Sequence, residues 1–188
     1  MKTEAKKEST VMYVLRLALT LLAITAVVAA ALAGVNSVTA PVIADLNAAK
    51  TQQAIEQVLP GGFDEQLTDF DNQGGLVSKV YKGANGYALE VLPSGFDNTI
   101  TMMVGVDFEG KVLGISIVKH TETAGLGAVA AAKTSAGENF RGQFVGTSGA
   151  VAVTKDGGTL DAITGATITS RAVCVGVNAA LAAVAAMG

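Results

Sequence analysis

Thr99-Ile100-Thr101-Met102-Met103-Val104-Gly105-Val106-Asp107 is followed, after Phe108 and the turn Glu109-Gly110-Lys111, by Val112-Leu113-Gly114-Ile115-Ser116-Ile117-Val118-Lys119. In the first run Ile100, Met102, Val104 and Val106 fall on one side and Thr99, Thr101 and Met103 on the other. In the second, Leu113, Ile115 and Ile117 alternate. A period of two is the signature of a strand, so the pair reads as a β-hairpin. Upstream, residues 76–82 and 87–92 flank Gly83-Ala84-Asn85-Gly86, a second hairpin connection. The acidic, Gly-containing stretch 64–75 is predicted to be loop. Residues 41–59 are predicted to form a helix opened by Pro41, with Leu46, Ala49, Ile55 and Leu59 at helical intervals and Pro60-Gly61-Gly62 as the stop. Downstream, the Ala-rich residues 128–133 read as a short helix. Residues 145–154 read as a strand region interrupted by Gly146 and Gly149. The closing segment, from Arg171 to Met187, places Val173, Val177, Ala180, Leu181 and Val184 along one helical stripe. Adjacent hairpins with helices at both ends predict an α+β domain built on an antiparallel meander. A doubly wound sheet, and with it a Rossmann-type nucleotide site, is not expected.

The N-terminal end has a different character. Residues 17–35 run for 19 positions without a charge. That is long enough to cross a hydrocarbon core as a helix, and longer than the ~7–15 apolar residues of a cleavable secretory signal. The small-residue stretch Ala31-Leu32-Ala33 before Gly34 resembles a cleavage site, but the length favours a retained single-span anchor over residues 11–35. Gly34 and Ala29, Ala30, Ala31 and Ala33 either give the helix a small-residue packing surface or are ordinary filler. Lys2, Lys6, Lys7 and Arg16 against Glu4 and Glu8 leave the N-terminal side at +2. The more basic side stays inside, so a cytoplasmic head (1–10) and an extracytoplasmic domain (36–188) in the cell (inner) membrane are expected.

Composition narrows the chemistry. From residue 35 onward nine Lys/Arg face fourteen Asp/Glu, a balance of −5, and no basic cluster invites nucleic acid. Membrane lipid is expected to be met only through the anchor. His120 is the sole histidine and Cys174 the sole cysteine, which excludes His-based metal clusters, paired-Cys zinc sites and an internal disulfide. No metal ligand is expected, and Cys174 reads as a buried small apolar residue of the last helix.

Asp161-Ala162-Ile163-Thr164-Gly165-Ala166-Thr167-Ile168-Thr169-Ser170 packs four hydroxyls around one Gly and then enters the last helix. A helix start offers unpaired N–H groups and the positive end of a dipole, which suits a phosphate. The same residues read equally well as a Ser170 or Thr167 cap after a Gly turn. Asp161-x-x-Thr164-Gly165-Ala166-Thr167 resembles the flavinylation motif of a family of extracytoplasmic flavin-binding domains. A second element, His120-Thr121-Glu122-Thr123-Ala124-Gly125-Leu126-Gly127, resembles the His-x-Glu-Thr-Pro-Gly-Leu-Gly element of that family, with Ala124 in place of Pro. A third, starting at Ser94-Gly95-Phe96-Asp97-Asn98, resembles its Gly-Tyr-Gly-Gly turn. Phe96 there lacks the hydroxyl, and Asp97 and Asn98 replace the glycines as the residues most tolerant of left-handed backbone after Gly. With the anchor, the three elements resemble the G subunit of Rnf-type electron-transport complexes and, more distantly, the C subunit of the sodium-pumping NADH:quinone oxidoreductase.

The resemblance implies an electron-carrying, non-catalytic component of a ferredoxin:NAD oxidoreductase that pumps ions, working among other membrane subunits. It implies FMN esterified through its phosphate to Thr167, attached by a separate flavin transferase that reads the motif including Asp161. Thr164, Gly165, Ala166, Thr169 and Ser170 belong to the same motif, and Arg171 is placed to balance the phosphodiester charge. His120, Glu122, Thr123 and the backbone from Gly125 through Leu126 to Gly127 are nominated for the flavin ring. No catalytic residue is expected, since the redox chemistry belongs to the ring. A tethered module that holds a phosphorylated or carbohydrate ligand reversibly, or docks a neighbouring protein, with Thr167 as a mere cap, stands as the alternative from another class. The flavin-bearing component of a quinone-reducing sodium pump is a nearer one.

Overall fold

The computed structural model describes residues 10–187 and divides into two units, one up to residue 48 and one from residue 49 onward. The expected cytoplasmic head lies, but for Thr10, outside the described residues.

Over its described residues the first unit is helical, part of helix α1 (Thr10–Val58). Its apolar window has a mean hydropathy of 2.4 and is 0% buried. Leu17, Leu21, Ile24 and Val28 are among many large apolar side chains left exposed there. An unburied apolar window of this kind requires lipid or a partner, which makes this part of α1 a candidate span. The sequence predicts two separate helices, the second opening at Pro41. The structure instead runs one helix through Pro41. Proline removes one N–H from the ladder, a cost that neighbouring turns can absorb. Ser37 and Thr39 return their hydroxyls to the carbonyls of Gly34 and Val35.

The second unit is a five-stranded antiparallel meander in the order β1-β2-β3-β4-β5. The strands are β1 (Glu65–Leu67), β2 (Val77–Gly83), β3 (Gly86–Val91), β4 (Thr101–Asp107) and β5 (Val112–Lys119). The hairpin read first from the sequence is β4–β5, registered Met103 to Ser116 and Val104 to Ile115. Both sheet faces are covered. Val80, Leu89, Ile100, Met102, Val104 and Val106 form one core with Val173, Val177, Ala180 and Val184 of helix α3 (Thr167–Met187), joined by Phe140 and Phe144. On the other face Met103, Tyr81 and Ala88 meet Ala54, Ile55 and Val58, the last turns of α1, and Leu59 just beyond it. The α1 end reaches the sheet because Gly105 has no side chain: a Cβ there would sit 2.0 Å from the Val58 carbonyl oxygen. Helix α3 is also apolar enough to pass as a span, yet 67% of its window is buried, so it is a core helix.

Several local expectations are corrected. The stretch 64–75 holds edge strand β1 and a short 3₁₀ turn at Gln73–Gly75. The Ala-rich segment is a 3₁₀ turn, Gly127–Ala131, and it is followed by a helix that the sequence pattern does not announce, α2 (Ser135–Gly142). The cap of α2 is Thr134, whose hydroxyl accepts from the Gly137 N–H. Residues 145–154 form no strand; Gly146 and Gly149 adopt φ of 78° and 77°, which breaks extended backbone. Asn178 of α3 supplies the missing partner, accepting from the Val151 N–H at 2.8 Å and donating to its carbonyl at 2.9 Å. Helix α3 begins at Thr167, four residues before the predicted start near Arg171.

Two outcomes follow from this packing. Gly105→Ala is expected to lift the α1 end off the sheet at a cost of about 1–3 kcal/mol, read as a lower Tm of the full chain in detergent. Cys174 is buried, and desolvation pushes its thiol up to about 11, with the Asp156 charge adding to the effect. It is therefore expected to resist maleimide at pH 8 until the protein is denatured, as intact mass would show.

Candidate functional site: a cavity closed by a buried carboxylate

Three loops meet at one end of the second unit: residues 92–100 between β3 and β4, residues 120–127 after β5, and residues 161–166 leading into α3. The first is held by a bridge between Ser94 and Thr99 and by the Gly95 N–H donating to the Asn98 carbonyl at 2.8 Å. Neither Asp97 nor Asn98 has a positive φ, so the turn forms without the left-handed backbone expected of it.

Glu122 ties the first two of these to the start of α3. It is only 7% exposed. One oxygen accepts from the N–H of Phe96 at 2.9 Å and of Asp97 at 3.4 Å. The other accepts from the Thr169 hydroxyl in the first turn of α3. Glycine is required on both sides of this carboxylate. A Cβ at Gly95 would lie 2.3 Å from one oxygen, and one at Gly127 2.5 Å from the other. Ser170, fully buried, makes a second latch: its hydroxyl accepts from the Ile163 N–H and donates to the Ala166 carbonyl, both at 3.0 Å. Ser170 and Thr167 both lie inside the helix, so neither is its cap.

The loops enclose a cavity of about 310 Å³ lined by Phe96, Glu122, Thr123, Leu126, Lys155, Thr167 and Ile168, with Gly127, Gly165, Ala166 and Thr169. Thr167 is half-buried, and Lys155 Nζ donates to its Oγ1 at 3.3 Å. Of the six large apolar side chains exposed beyond α1 among the described residues, three line this cavity: Phe96 at 65%, Leu126 at 44% and Ile168 at 49%. A hollow of this size lined by one lysine and three exposed apolar side chains suits a flat aromatic ligand with an anionic tail, and the residues present thus fit FMN.

The nominated residues divide. Thr167, Gly165, Ala166, Thr169, Glu122, Thr123, Leu126 and Gly127 converge on the cavity. Asp161, Thr164 and Gly125 open into a neighbouring hollow of about 620 Å³. The Asp161 backbone is clamped there by Gln143, donating to its Oε1 at 2.7 Å and accepting from its Nε2 at 3.2 Å, while the side chain is exposed. Arg171 points elsewhere: its guanidinium grips both oxygens of Asp156 at 2.6 Å, which holds that carboxyl below the usual range. His120 lines neither hollow; it is half-buried past the end of β5, with Nδ1 buried and unpartnered. Sequence reasoning misses Lys155, Phe96 and Ile168 as lining residues. Lys155 stands 12 residues before Thr167 in a Thr154–Asp156 3₁₀ turn, and only the fold brings the two together.

Glu122→Ala leaves two N–H groups and a hydroxyl without their acceptor and is expected to cost on the order of 3 kcal/mol. Glu122→Gln keeps one carbonyl acceptor and should lose less. Thermal unfolding, with limited proteolysis around residues 94–99, checks the order.

Residues 95–182 match the family model of an FMN-binding domain. The chain is 34% identical to the G subunit of the ion-translocating oxidoreductase complex of Methanosarcina acetivorans, over 86% of this chain and 89% of that protein. It is 33% identical to the G subunit of the Na(+)-translocating ferredoxin:NAD(+) oxidoreductase complex of Acetobacterium woodii, over 95% of each. A third relative, the G subunit of the ion-translocating oxidoreductase complex of Photorhabdus laumondii, is 37% identical over 74% of this chain and 75% of its own length. With coverage this complete, the chain belongs to the G-subunit family of ion-translocating oxidoreductase complexes.

Proposed function

We propose that this chain is the electron-relaying component of an Rnf-type ferredoxin:NAD oxidoreductase, carrying FMN esterified through its phosphate to Thr167. The observation that carries the reading is Thr167, with Lys155 at its hydroxyl, in the wall of a cavity that Phe96, Leu126 and Ile168 also line. When bound, the flavin supplies a ring that takes up and releases electrons. The chain's own residues bind, orient and shield. Phe96, Leu126 and Ile168 offer apolar contact to the ring, Thr123 offers a hydroxyl at the cavity wall, and Glu122 keeps the walls in place. No side chain moves a proton in this scheme, and the protein performs no catalysis alone.

A covalent link has a physical rationale if the domain lies outside the cytoplasm, as the charge of the N-terminal side favours. Even a nanomolar site, worth about −12 kcal/mol, empties when free ligand is far below its Kd. An ester to Thr167 removes dissociation. Asp161 and Thr164, turned away from the cavity and exposed, are available to a separate flavin transferase while the hydroxyl faces the other hollow. α1 is the single membrane span, in contact with lipid and with the other membrane subunits of the complex.

Intact mass of the protein purified from cells with flavin transferase is expected to exceed the chain mass by one esterified FMN, and the denatured band to fluoresce under ultraviolet light. Thr167→Val is expected to lose both signals with Tm nearly unchanged. Retained fluorescence in that variant overturns the attachment point, and a wild-type chain without added mass favours a reversible binding module.

A further inference from the structure

Arg171 and Lys155 both stand near the start of α3, and the structure separates their roles. Arg171, on the helix itself, is committed: Nε and Nη2 bind the two oxygens of Asp156 at 2.6 Å each. A bidentate fork of this kind fixes both partners in one plane. It also fastens the short turn Thr154–Asp156 to the helix, and the residue beside Asp156 on that turn is Lys155. The Lys155 ammonium reaches Thr167 Oγ1 at 3.3 Å and forms part of the cavity wall, whereas Arg171 forms none of it. Asp156 and Asp161 are the other charged groups nearest in sequence. The first is neutralised by Arg171, and the second opens into the adjoining hollow. Among the described residues lining the cavity, only Glu122 and Lys155 bear charge, and Glu122 is occupied by Phe96, Asp97 and Thr169.

We propose that Lys155 is the residue that binds the phosphate of a phosphomonoester-derived ligand at Thr167, while Arg171 serves Asp156 as the clamp that presents it. This rests on the reading that Thr167 carries the flavin. A flexible ammonium suits this role, because three donors on a mobile stem can follow a diester oxygen once Oγ1 is esterified and no longer needs a donor.

The test is ³¹P NMR of the flavin-loaded full chain in detergent, with intact mass and Tm recorded for each sample. The diester resonance is expected to move in Lys155→Met, to return toward the wild-type position in Lys155→Arg, and to move less in Arg171→Met. Tm of Lys155→Met should stay at the wild-type value, because the side chain is exposed. A Lys155→Met chain that does not load while Lys155→Arg loads supports the same assignment, through a required positive charge. An unmoved resonance in Lys155→Met, a larger movement in Arg171→Met, or failure of both lysine variants to load overturns the assignment. Absence of the FMN increment from the wild-type chain overturns the Thr167 reading itself, so the two failures are distinguishable.

Discussion

A carboxylate held by N–H and hydroxyl donors, with no ion pair among the described residues, holds this site together. Glu122 accepts from two backbone N–H groups of one loop and from a hydroxyl on the first turn of α3. Burying such a group is costly unless its lone pairs are filled, so the three contributors are mutually dependent. Remove the acceptor and the loop around Phe96 loses its tie to the helix that carries Thr167. The two glycines pressed against the carboxylate oxygens belong to the same constraint, since any side chain at either would drive the loops apart.

The fold beneath serves this junction. The meander is buried on both faces, by α3 on one and by the end of α1 on the other. Helix α3 therefore has two duties. Its body fills the core through Val173, Val177 and Val184, and its first turn presents Thr167 and Thr169 to the cavity. A hydroxyl on a packed helix is held more firmly than one on a free loop, as the proposed attachment at Thr167 would require.

Local patterns are legible in the sequence where one period or one motif dominates. The β4–β5 hairpin, the β2–β3 pair and the apolar stripe of α3 all follow from spacing. Thr167, Glu122 and Gly127 follow from the family resemblance, and the structure brings them to one cavity. What cannot be read depends on partners distant in the chain. Residues 145–154 resemble a strand because nothing in them says that Asn178 replaces a neighbouring strand. Pro41 resembles a helix start, yet the ladder simply skips one bond. Arg171 is the nearer cation in sequence, but Asp156 takes it and leaves Lys155 at Thr167.

The two hollows on either side of the 161–166 segment have a logistical consequence. Gln143 fixes the Asp161 backbone so that the side chain faces one hollow, while the Thr167 hydroxyl faces the other. On the proposed function, an enzyme that loads Thr167 would therefore be able to grip Asp161 without standing in the berth its cargo is to fill. Asp161 would stay on the surface afterwards, so a loaded chain and an empty one would present the same handle and differ only in whether the berth is taken.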